Sequence, residues 1–259
     1  MTPRELGYIF PAEWEQHDAI FLSWPHDELT FPAIEKAEQA YMEIIKSLKG
    51  NEKVNLLVTK ENKPRVFSLV KKTGNENVEF FVHDYADVWF RDYGPTFVVN
   101  SKEKKLAMVK WKFNAWGNKY EALLKDDDIP DFINKKMKLA FFEAGIVMEG
   151  GSIDTNGRDT LLTTRDCLLN KNRNPNLSRE QIEKKLMDFL GISNIIWLNK
   201  GVEGDDTDAH IDNLARFVNE NTIVCPLPDK NDSNYANLKE NYDILKDSAG
   251  HDGNSFNIV

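Results

Sequence analysis

The chain has 259 residues, 41% of them apolar, enough for an ordinary core in one α/β domain. Thirty-three Lys and Arg against 42 Asp and Glu give a formal charge of −9, which argues against nucleic acid or an anionic membrane as partner and favours a small cation. Two cysteines, Cys167 and Cys225, are too few for a disulfide framework and fit a reducing compartment. The polar opening Met1–Glu5 does not read as a signal peptide, and no stretch approaches the ~18 apolar residues of a membrane span. A soluble, cytoplasmic protein is expected.

Strand-like and helix-like segments alternate along the chain. Asp18–Trp24 reads as a strand, and Ala33–Lys49 as a helix with Pro32 at its start and Gly50 at its end. Val54–Thr59, Val78–His83, Pro95–Asn100 and Leu106–Trp111 are short, β-branched or aromatic, and read as strands. Pro130–Glu143 reads as a helix, and Thr160–Thr164 as a strand. Ser178–Leu190 is a second clear helix, with a Ser178/Gln181 capping box and Gly191 as its stop. Asn194–Leu198, Asn213–Val218 and Thr222–Pro226 follow as strands, with a helix over Asn234–Asp247. Ser255–Val259 begins another strand, read as the opening of an incomplete module; a genuine edge strand is the alternative. No polar linker divides the chain, so residues 1–259 are expected to form a single domain.

Three acidic motifs carry the chemistry. In Asp205–Asn213 (DDTDAHIDN) four carboxylates surround His210, an arrangement whose mutual repulsion calls for a cation, a metal or a cationic substrate. On an extended segment His210 and Asp212 would emerge on one face, able to grip a planar cation and move protons. A solvated acidic loop is the plain alternative. A metal site is the other functional one, but no HExxH pattern or cysteine pair accompanies these residues. In Asp87–Pro95 (DVWFRDYGP), Asp92 is placed to pair with a guanidinium while Trp89 stacks on it, and Arg91 reads as an internal ion-pair partner. Glu149 ends an apolar run before Gly150 and Gly151, where backbone or ligand can approach closely. Asn114–Gly117 and Asn170–Pro175 read as turn chemistry. Trp14, Trp24, His17 and His26 read as packing and capping residues, and both cysteines as small hydrophobes.

Taken together, Glu13–Pro25, Asp87–Val99, Phe113–Tyr120, Glu149–Thr164, Cys167–Pro175 and Asp205–Phe217 resemble the agmatine deiminase family, grouped with the bacterial Porphyromonas-type peptidyl-arginine deiminases. The resemblance implies a five-bladed α/β propeller of ββαβ modules, of the guanidine-modifying superfamily. It implies hydrolysis of agmatine to N-carbamoylputrescine and ammonia through a cysteine thiouronium, in putrescine synthesis, with no cofactor and no metal. Peptidyl-arginine deimination and guanidine binding without turnover are the rival functions. By motif position Asp92 and Asp212 would hold the guanidinium, His210 would be the acid and base, and Glu149 would orient it. Trp89 and Asp206 would contact the substrate.

Two departures accompany the resemblance. The family's nucleophile follows a glycine-rich segment that this sequence does not contain, and neither cysteine lies in that context. The expectation is a propeller truncated before its closing module, unable to turn over substrate alone and prone to self-association through exposed edges. Ala209 stands where the family usually has glycine; it is strained if the backbone there needs positive φ.

Overall fold

A computed structural model describes residues 1–259. Twelve strands form four separate three-stranded sheets, each built from three strands consecutive in the chain. In the first, β1 (Ala19–Ser23), β2 (Lys53–Val58) and β3 (Val78–Val82) run parallel. They are joined through α1 (Ile34–Ser47) and α2 (Lys63–Thr73). Central parallel strands are covered on both faces, and Val54, Leu56, Leu57 and Val58 of β2 are accordingly fully buried.

The other three sheets share one plan. β4 (Thr96–Asn100) pairs antiparallel with β5 (Lys105–Lys112), and β5 pairs parallel with β6 (Ala140–Val147) across α4 (Ile129–Met137). The third sheet joins β7 (Asp154–Thr155) to β8 (Thr160–Thr164), antiparallel. A parallel crossover through α5 (Arg165–Leu168) and α6 (Arg179–Leu190) then leads to β9 (Asn194–Leu198). The fourth repeats the pattern with β10 (Arg216–Asn219), β11 (Thr222–Val224), α7 (Tyr235–Asp247) and β12 (Asn257–Ile258). This ββαβ recurrence lives in topology, not in residue identity. The terminal segment is a paired edge of the fourth sheet: Val259 N–H donates to the Ile223 carbonyl at 2.9 Å.

The helix expected over Pro130–Glu143 is overturned beyond Met137. Lys138 adopts a left-handed conformation (φ 55°) that stops α4, and Ala140–Val147 pairs with β5 instead. Phe141 and Phe142 fit a helical stripe as well as a strand, and tertiary pairing decides between them. Helix α2 occupies a stretch to which sequence reading assigned no element, and the expected strand Asn213–Val218 starts only at Arg216. The capping box of α6 forms as expected, with Ser178 Oγ accepting from Gln181 N–H.

The site loops are tied to this frame by buried carboxylates. Asp126, in the 3-10 segment Glu121–Asp128, accepts the backbone N–H groups of Ala86 at 2.6 Å and Asp87 at 3.3 Å. Burial pushes its carboxyl up to about 7 against the pull of those donors. A raised carboxyl contributes stability that is full below its unfolded value, near 4, and is lost as pH rises through about 7. Between pH 5.5 and 8.5 the loss amounts to about 2 kcal/mol. Thermal melts of the native chain and Asp126→Asn should therefore diverge with pH: the native chain loses about 4–8 °C more over that interval. A gap between the two that does not change with pH contradicts the assignment.

Candidate active site

The connections that lead from one sheet into the next carry the acidic motifs. Asp92 lies between β3 and β4 on α3 (Phe90–Tyr93), a single turn pinned by Tyr93, whose hydroxyl donates to the Asp87 carbonyl at 2.8 Å. Glu149 lies between β6 and β7, at a strand end as expected. His210 and Asp212 lie between β9 and β10. Their segment is not extended, as the sequence reading had it: Ile211–Asn213 is a 3-10 turn with His210 at its N-cap.

These scattered residues converge. A Cβ built on Gly151 would lie 2.6 Å from His210 Nδ1, 2.7 Å from Asp212 Oδ2 and 2.8 Å from Asp92 Oδ1. Three side chains from two connections thus point at the space that one glycine on a third leaves open. Gly151 N–H donates to Asp92 Oδ1 at 2.9 Å. Gly150 is equally constrained, since its Cβ would come within 2.0 Å of the Arg91 carbonyl oxygen.

His210 sits between carboxylates. Its Nδ1 is 3.7 Å from Asp92 Oδ1, and its Nε2 is 3.9 Å from Glu149 Oε2, too far for a hydrogen bond. That Nε2 is buried without a bonding partner. Burial disfavours the imidazolium, yet Glu149, Asp92 and Asp212 outweigh it and hold the imidazole above its ordinary value. Burial raises both Asp92 and Asp212 carboxyls, with His210 pulling each the other way. Neither carboxylate has a Lys or Arg partner within 4 Å, so the cationic demand read from the sequence rests on these two.

The remaining acids of Asp205–Asn213 are satisfied within the chain, which corrects the reading of four carboxylates around one histidine. Asp205 organises its own loop, accepting from Thr207 N–H and Ala209 N–H at 2.9 Å each. Asp208 pairs with Lys119 at 2.8 Å and Arg173 at 2.6 Å. Asp206 is solvent-exposed at the rim, bonded to the Tyr120 hydroxyl. Ala209 does adopt positive φ, 70°, next to Asp208 at 64°. The left-handed strain costs about 1–2 kcal/mol and is offset in part by the burial of its methyl, ~0.8 kcal/mol.

Three contributors were missed or read too plainly. Trp116 Nε1–H donates to Asp92 Oδ2 at 2.9 Å. It does so from a run of four left-handed residues, Ala115 to Asn118, in the segment read as turn chemistry. Arg173, in the other supposed turn, has a fully buried side chain that donates through Nε to Glu149 Oε1 at 2.7 Å. Cys167, read as a small hydrophobe, is fully buried but lies with Sγ 3.8 Å from Glu149 Oε2. A hydrogen-bonded Asn-rich turn looks the same in sequence whether or not its arginine is buried elsewhere. Trp89, 45% exposed, stands edge-on to Trp116 at 6.4 Å, and Tyr120 lies 5.9 Å beyond. An aromatic path therefore runs from Asp92 to Asp206. Arg91 forms the internal pair expected of it, 2.6 Å from Glu13. Trp24 is buried as expected, whereas Trp14 is 40% exposed.

Glu149, Cys167 and His210 bring their donor atoms within 4.8 Å of one another, the geometry in which a metal would be sought. Burial, reinforced by Glu149, pushes the Cys167 thiol well up, and Arg173 already neutralises Glu149. With its thiol kept protonated and its carboxylate already paired, the trio is poorly suited to a cation. A cavity of about 700 Å³ is lined by Arg165, Lys200, Glu203, Asp205 and Asp208 among others. It has no share in the convergence on Gly151.

This architecture, with a buried histidine among three carboxylates at inter-sheet connections, defines a class. The profile of the Porphyromonas-type peptidyl-arginine deiminases matches residues 9–259, and the chain belongs to that family. A protein of Legionella pneumophila (strain Paris) named as an agmatine deiminase is 40% identical over 260 residues, 99% of this chain and 74% of the relative. The Enterococcus faecalis agmatine deiminase superposes with a TM-score of 0.89 at 28% identity, over 99% of this chain and 71% of that one. The C. jejuni agmatine deiminase, solved as a cysteine-to-serine variant with substrate bound, gives 0.85 at 36% identity, over 97% and 73%. No helix of the chain is long and apolar enough to cross a membrane.

Proposed function

We propose that this chain supplies the guanidinium clamp and the acid–base group of an agmatine deiminase, which hydrolyses agmatine to N-carbamoylputrescine and ammonia. The observation that carries the reading is the convergence of Asp92, Asp212 and His210 on the space beside Gly151. Two carboxylates without a Lys or Arg partner match the N–H donors of a planar guanidinium. His210, held above its ordinary value by Glu149 and Asp92, can keep a proton for departing ammonia and return to base form for water. Trp89 and Asp206 would meet the substrate's far end, where agmatine carries an amine.

Neither cysteine suits attack on the guanidinium carbon. Cys167 is buried with a raised thiol, and burial also raises Cys225, which follows β11. The three ββαβ sheets and their parallel companion support blades of a five-bladed propeller within one domain spanning residues 1–259. The setting is cytoplasmic polyamine metabolism.

Calorimetry with agmatine, free arginine and an N-acylated arginine amide tests the assignment. Agmatine should bind most tightly. Binding of the arginine amide in preference to agmatine overturns the choice of substrate, and binding of none of the three overturns the site.

A further inference from the structure

Arg173 sits where the acid–base pair is most sensitive to charge. Its side chain is fully buried, and every guanidinium nitrogen is engaged. Nε donates to Glu149 Oε1 at 2.7 Å. Nη1 donates to Asp208 Oδ2 at 2.6 Å and Asn172 Oδ1 at 2.8 Å, and Nη2 to the Thr207 carbonyl at 3.0 Å. Three nitrogens in a rigid plane reach four acceptors on three segments, a task a lysine cannot perform. The left-handed turn bearing Trp116 packs onto the same residue. A Cβ on Gly117 would come 2.3 Å from Asn172 Nδ2 and 2.9 Å from Arg173 Nη1. The two segments that follow the second strand of their modules thus brace Asp92 through Trp116 and Glu149 through Arg173.

We propose that Arg173 is the positioning residue of this site: through its bond to Glu149 it keeps a carboxylate, rather than a carboxylic acid, beneath His210. The inference deepens the function proposed above, since it concerns that site's acid–base group. Glu149 is fully buried, and burial alone would favour its neutral form. The charged groups facing it are Arg173 and His210, with the Cys167 thiol alongside. Those facing His210 are Glu149, Asp92 and Asp212. Without Arg173, Glu149 takes up a proton more readily, and His210 loses one of its three carboxylate neighbours. Acting through Glu149, loss of the arginine therefore lowers the proton affinity of His210. A direct effect of removing a nearby positive charge has the opposite sign, and a purely structural role leaves the titration where it was.

The experiment is an NMR titration of isotope-labelled histidine in the unliganded chain, with the His210 signal identified by its loss in His210→Gln. In Arg173→Gln the His210 midpoint should fall by about one pH unit or more, the size of a close opposite-charge effect. Arg173→Lys should recover part of that fall. Glu149→Gln should lower the midpoint as well, and adding Arg173→Gln to it should lower it no further. The double variant buries no unpaired charge, so it remains informative if Arg173→Gln alone does not fold. An unchanged or raised midpoint in Arg173→Gln, or a further fall in the double variant, overturns the proposal. Because no agmatine is present, this outcome is independent of whether agmatine is the substrate.

Discussion

Gly151→Ala should weaken agmatine binding by 100-fold or more while leaving a folded chain. The added methyl would occupy a point 2.6–2.8 Å from His210 Nδ1, Asp212 Oδ2 and Asp92 Oδ1, so the side chains must turn away from the space they share. Two charge-assisted hydrogen bonds lost from a ligand are worth about 3–6 kcal/mol, and each 1.4 kcal/mol is about tenfold in affinity. Overpacking of this kind costs about 1–3 kcal/mol of stability, less than the 5–15 kcal/mol typical of a folded domain. Calorimetry paired with thermal melts checks both halves. Undiminished agmatine affinity in a folded Gly151→Ala would mean that the ligand does not use this space.

Glu149→Gln is expected to act on stability and on its pH dependence together. The isosteric amide keeps the shape but removes the charge that Arg173 and His210 face, leaving the buried arginine only Asp208 as an anionic partner. Losing a buried hydrogen bond to a charged group costs about 1.5–3 kcal/mol, and stranding part of a buried ion pair pushes toward the 3–5 kcal/mol seen when such pairs are broken. His210 adds a pH term. Its folded value lies above the unfolded one, near 6.5, so its contribution is full below about 6.5 and fades as pH rises through the folded value. Glu149 is among the causes of that rise. The native chain should therefore exceed Glu149→Gln in stability by more at pH 6 than at pH 9, as read from urea unfolding at the two pH values. An equal gap at both would mean that the carboxylate does not act on the imidazole.

The sequence made some of this legible for identifiable reasons. The ends of α6 could be read because Ser178, Gln181 and Gly191 act on backbone groups within a few residues. Asp92, Glu149, Asp212 and His210 stood out as motif residues, and the structure brings them into one cluster from separate connections. Partnerships across 24 or more residues did not announce themselves. Trp116 and Arg173 lie among asparagines and glycines whose local turn propensity explains them fully, and only folding places Trp116 on Asp92 and Arg173 on Glu149. The second half of the helix expected over Pro130–Glu143 failed for a related reason: pairing with β5 outweighs a weak local preference. The acidic crowd around His210 misled in another way. Sequence proximity suggested four unpaired charges, whereas Asp205 and Asp208 turn out to be held by backbone donors, Lys119 and Arg173.

A crystal structure of this chain grown with agmatine would test the central claim most directly. The guanidinium is predicted beside Gly151, with its nitrogens within about 3 Å of carboxylate oxygens of both Asp92 and Asp212 and His210 Nδ1 facing it. Agmatine bound instead in the cavity lined by Arg165, Lys200 and Glu203, or held by only one of the two aspartates, would contradict it.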